Sequence, residues 1–117
     1  MKPVPPKKSK RQDNAPHQKL IEMYHETFPV CQRVNVWRGS NMDMMRARWR
    51  EHPDLKWWDQ YFKYIARSAF LMGAVEDKGG GTPFQIDLAW IVRPSNMDKI
   101  LNGRYHRGVV FKPEESA

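Results

Sequence analysis

Apolar residues recur at steps of three and four from Asp54 to Gly73, DLKWWDQYFKYIARSAFLMG. Leu55, Trp58, Phe62, Ile65, Ala69 and Met72 form one stripe of an amphipathic helix. A second stripe, Trp57, Tyr61, Tyr64 and Leu71, runs beside it. A helix apolar over more than one face predicts a central element packed on several sides. Pro53 precedes the run, Asp54 puts a carboxylate at the positive end, and Gly73 suits a left-handed C-cap. At about 1.5 Å per residue this helix would be nearly 30 Å long.

The neighbouring pattern supplies its partners. Leu20, Ile21, Tyr24 and Phe28 mark one face of a helix over Pro16 to Thr27, which Pro29 ends. Val34, Val36 and Trp37 are too few to demand a sheet. Ser40 with Asp43 three residues on reads as a capping box that starts a second helix, with Met42, Met45 and Trp49 inward. Arg46, Arg48 and Arg50 sit around the rest, and His52-Pro53 separates this helix from the long one. Phe84 to Val92 alternates like a strand but also fits a helical turn, and it reads as an extended or single-turn segment. Asp87 within it is a capping or hydrogen-bonded residue. Ser95, answered by Asp98, predicts the cap of a last helix with Met97, Ile100 and Leu101 inward and Gly103 as its stop. The fold class is all-α: a small bundle of about four helices around a long central one. Residues 1–15 read as a disordered basic, Pro-rich tail, 16–108 as the helical domain, and 109–117 as a polar C-terminal tail.

Charge narrows the partners. Twenty Lys and Arg against 13 Asp and Glu give a net charge of +7. Such a surface favours a polyanion, either nucleic acid or an acidic protein face. Lys7, Lys8, Lys10 and Arg11 make the tail a solvated tether or a phosphate-touching arm. No apolar run approaches the ~18 residues of a membrane span, and no secretory signal is visible. Cys31 is the only cysteine, which rules out an intrachain disulfide and fits a cytoplasmic location.

Catalytic patterns are missing. His17, His25, His52 and His106 stand at no metal-ligand spacing, and Cys31 has no base beside it in sequence. Gly79-Gly80-Gly81 is followed by Thr82-Pro83 instead of the Gly-Lys-Ser/Thr of a phosphate loop. The expectation is a non-enzyme with no cofactor. What remains is a set of cations, Arg46, Arg50, Lys56, Lys63 and Arg67, interleaved with Trp57, Tyr61 and Tyr64. Cations beside exposed rings can hold and stack a single strand; on helices of this spacing the rings can equally be core. Lys56, Lys63 and Arg67 share one helical line. Exposed rings are the condition on which the stacking reading rests.

Trp58, Tyr61-Phe62, Ser68, Phe70-Leu71 and Gly73, then Phe84, Leu88, Trp90, Asn96, Lys99-Ile100, Gly103 and Tyr105, form a spaced pattern. It resembles the C-terminal region of phage and prophage replication proteins, the replisome organisers of the replication-protein-O and DnaD-like kind. The resemblance covers roughly Leu20 to Tyr105. It implies a helical module of replication initiation, with single-stranded DNA and/or the replicative helicase or its loader as partner. Family members commonly carry an origin-binding winged-helix domain upstream. Here a short basic tail precedes the pattern, so origin recognition is not carried over. The other reading is a protein-interaction module that captures or inhibits a host replication factor without binding DNA.

Overall fold

The computed structural model describes residues 15–75 and 83–113. The basic tail with Lys7, Lys8, Lys10 and Arg11, and the Gly79–Gly81 loop, lie outside the described residues. All regular structure among the described residues is helical, in five elements: α1 (His17–Thr27), α2 (Ser40–Glu51), α3 (Leu55–Ala66), α4 (Leu88–Ile91) and α5 (Pro94–Leu101).

The centre of the fold is α3, started by Asp54, whose carboxylate accepts the Lys56 N–H at 3.0 Å. The expected single long helix is corrected: α3 has 12 residues, about 18 Å, and ends at Ala66. Ser68 explains the stop. It is buried, its N–H donates to the Ile65 carbonyl at 3.0 Å, and its hydroxyl accepts the Leu71 N–H at 3.2 Å. A serine that satisfies nearby backbone groups competes with the helical ladder. The chain then makes a separate turn that buries Leu71 and leaves Ala69 and Phe70 exposed. Gly73, at φ +79, closes that turn, with Gly73 N–H to Phe70 and Ala74 N–H to Ala69. This is a Schellman cap, and only a residue without Cβ enters it without strain. Gly103 repeats the arrangement after α5, at φ +84.

Two other predicted caps move. Gly39, not Ser40, is the N-cap of α2, and Asp43 pairs with Arg46 at 2.8 Å. Pro94 takes the first position of α5, where its missing N–H goes unused, so Arg93 is the N-cap and Ser95 lies in the first turn. Asp87 does cap: its carboxylate accepts the Trp90 N–H at 2.8 Å at the start of α4. Both α1 and α2 end one residue after the last helical position on a residue that precedes proline, Phe28 and His52, which proline keeps out of the helical region.

The face of α1 with Leu20 and Tyr24 packs on α3, where Trp58, Phe62 and Ile65 meet it. Met45 of α2, Leu71, Ile86, Leu88 and Ile91, then Met97 and Ile100 of α5, complete one core. The polar ends of its large rings are satisfied. Trp58 Nε1–H donates to the His52 carbonyl at 2.8 Å, and Tyr61 O–H to the Ile91 carbonyl at 2.8 Å. Tyr24 O–H donates to the Gln32 carbonyl at 2.7 Å. Arg48, expected on the surface of α2, is buried instead. Its Nη2 lies 3.1 Å from Glu51, while Nε and Nη1 are buried without a partner. Met45 and Arg48 share one side of α2 at a three-residue step, so the methionine and the arginine stem enter the core together. The packed region also exceeds its expected limits: Ala15 is already buried, and Phe111 packs back on the core.

Candidate nucleic-acid interface

Lys56, Lys63 and Arg67 fall on one line of α3 and the residue after it, as their spacing of seven and four requires. Opposite them runs the segment from Val109 to Lys112. The two sides enclose an open groove of about 450 Å³. Among the described residues its rim holds four cations, Lys56, Lys63, Arg67 and Lys112, against one carboxylate, Asp59. Asp59 pairs with Lys63 at 3.0 Å through a bridge whose ends are largely exposed. Arg46 and Arg50 do not line this groove. They lie on α2, and Arg46 is held by Asp43.

The segment opposite α3 is fixed by the rings once considered for stacking. Tyr64 O–H donates to the Val109 carbonyl. Phe111 sets its ring 5.1 Å from Tyr64, 5.5 Å from Trp57 and 6.1 Å from Tyr61. Its N–H donates to the Leu101 carbonyl at 3.1 Å. Tyr61 is 0% and Tyr64 6% exposed. Trp57 is half-buried and already stacked with His52 at 3.7 Å and with Tyr61 at 5.1 Å. The base-stacking role read for Tyr61 and Tyr64 is therefore corrected by their burial, and the half-buried Trp57 is engaged with His52 and Tyr61. These rings anchor a strap, and the strap makes the groove. Lys112 and the strap were missed in the sequence; the apolar run Val109-Val110-Phe111 inside a polar end was the available signal.

His106 locks the approach to the strap. Its ring lies 3.7 Å from Tyr64 at 10°, and Nε2 meets the Tyr64 carbonyl at 2.7 Å. Only an N–H can satisfy a carbonyl, so Nε2 carries the proton of a neutral ring; Nδ1 is buried and unpartnered. Burial lowers the His106 pKa below its usual value, the Tyr64 hydrogen bond opposes that, and the Arg67 charge adds to it.

No family model, curated protein or solved structure shows a significant match to this chain. Chemistry must then come from the residues. Burial pushes the Cys31 thiol pKa up, away from the thiolate that a nucleophile needs. The Tyr64 phenol is likewise pushed up by burial. Among the described residues, no three His, Cys, Asp or Glu side chains gather as a metal site, and no helix is long and apolar enough to cross a membrane. What the groove offers is positive charge on a shaped surface with an apolar edge: Val109 is 63% and Val110 48% exposed.

Proposed function

We propose that this protein is a non-enzymatic module of phage-type DNA replication that holds single-stranded DNA by its backbone during initiation. The observation that carries the reading is the gathering of Lys56, Lys63, Arg67 and Lys112 around one groove, with a single opposing carboxylate among the described residues. Amines and a guanidinium placed along a trough meet successive phosphates without reading sequence. The replication setting rests on the resemblance of the Trp58–Tyr105 pattern. The single cysteine fits a cytoplasmic site of action.

Fluorescence anisotropy of a labelled single strand, titrated at several salt concentrations, tests this. Log affinity is expected to fall with log salt at about −0.7 per phosphate contact, near −3 if all four cations engage. Lys63→Ala and Arg67→Ala should each reduce that slope. No binding at low salt sinks the DNA reading.

The exposed Val109 and Val110 beside the cations favour a second reading, capture of the replicative helicase, its loader or another host replication factor on the same strap. Pull-down from host lysate separates the two. A helicase or loader recovered by the native protein and lost with Val109→Asp, while single strands go unbound, selects this version.

A further inference from the structure

Four rings that do not line the groove close a cycle of neighbours. Phe70 lies 5.3 Å from Phe84 and 5.5 Å from Tyr105, and Trp90 lies 5.0 Å from Phe84 and 5.9 Å from Tyr105. Phe70 is 41% exposed, and the other three are half-buried. Core pairs such as Trp58–Tyr61 (87°) and Phe28–Phe62 (70°) meet edge to face. In this cluster Phe70 is parallel to Phe84 within 17° and to Tyr105 within 7°, while Trp90 is tilted by 58° to both Phe84 and Tyr105. Offset parallel rings at a surface present the arrangement that another flat π system extends.

The surroundings favour a nucleobase over an apolar protein side chain. Arg104 directly precedes Tyr105 and Arg93 follows Trp90 by three residues; both are exposed, and the Arg93 backbone N–H donates to the Trp90 carbonyl. The carboxylate of Asp87, three residues before Trp90, accepts the Trp90 N–H. The cluster also continues from the groove along two pieces of chain. Arg67 of the groove is three residues before Phe70, a reach of no more than about 11 Å. Tyr105 stands four residues before Val109 on the strap. A strand lying along Lys63 and Arg67 is thereby led to the rings.

We propose that Phe70, Phe84, Trp90 and Tyr105 form a stacking platform for unpaired bases of the strand whose phosphates occupy the cationic groove. This rests on the groove being a single-strand site, and it assigns the base contacts that the buried Tyr61 and Tyr64 cannot make.

The test compares an oligothymidylate with an abasic backbone of equal length and charge, both labelled, at one low salt concentration. The native protein should bind the thymidylate more tightly by roughly 5- to 160-fold, the range for loss of one base–ring stack. Phe70→Leu and Tyr105→Leu should lose most of that preference and keep the salt slope. Equal binding of the two strands overturns the platform and leaves the groove standing, and so does a preference that survives in both variants. Failure of both strands to bind overturns platform and groove together. The native comparison needs no substitution, so it holds even if a variant folds poorly.

Discussion

Tyr61 and Tyr64 sit in the middle of α3 with their rings closed off, whereas Phe70, four residues past the end of the same helix, keeps 41% of its surface. All three lie in one apolar run of sequence. What separates them is the backbone between. Within the helix, the Tyr61 ring reaches the Ile91 carbonyl and Phe111, and the Tyr64 ring reaches Val109, His106 and Phe111. Once Ser68 takes the Leu71 N–H, Leu71 turns inward and Phe70 is delivered to the surface. A helix ended by a side chain thus divides one aromatic run into an anchoring half and a displayed half.

The sharpest way to break that division is to remove an anchoring ring. Tyr61→Ala should destabilise the protein by about 3–5 kcal/mol, the usual range for emptying a large aromatic site. It also leaves the Ile91 carbonyl without its donor. Urea unfolding measures this. A loss near zero would mean that the ring is not buried as described, and would return Tyr61 to the candidates for stacking.

Acid should act on the anchoring half first. His52 stacks on Trp57 and His106 on Tyr64, and the pKa of each is lowered chiefly by burial. His17 and His25 are lowered as well, again with burial first. His17 Nδ1 accepts the Trp37 Nε1–H and His25 Nε2 accepts the Val34 N–H, bonds that a protonated nitrogen cannot receive. The sign follows from linkage. The unfolded chain titrates near the ordinary 6.5 and the folded protein lower, so the unfolded state binds more protons below that value. Stability should be level above about pH 6.5 and fall as pH drops through and below it. Melting temperatures across that range check this, and a midpoint that rises on acidification contradicts it.

Much of this division could be read in the sequence, and some could not, for physical reasons. The helical class, the α3 start at Asp54 and the Asp87 cap follow from periodicity and from a short carboxylate before an apolar turn. The ends of helices depend on competition. Ser68 carries no composition signal of its own, and its choice between solvent and the Leu71 N–H is made by burial. Pro94 displaced the cap expected at Ser95 because proline fits the first helical position better than it fits the cap. The fate of the second α3 stripe was undecidable locally: Tyr64 is hidden by a residue 45 positions later, Val109. Periodicity says that a face is apolar, and says nothing about which distant segment covers it.

The smallest expected effect is also the one that tests the displayed half most directly. Phe70→Leu removes a ring whose neighbours are Phe84 and Tyr105 rather than the core, and it keeps an apolar side chain of similar reach. An exposed residue away from caps and buried polar groups usually shifts stability by about 0.5 kcal/mol or less; the partly covered face of Phe70 should bring the loss to no more than about 1 kcal/mol. The turn it belongs to is held by Gly73 and Ala74 backbone bonds, which leucine does not disturb. Urea unfolding should therefore place Phe70→Leu close to the native protein and far from Tyr61→Ala. A loss as large as that of Tyr61→Ala would make Phe70 a structural ring like the others, and the two halves of the run would then differ in exposure alone.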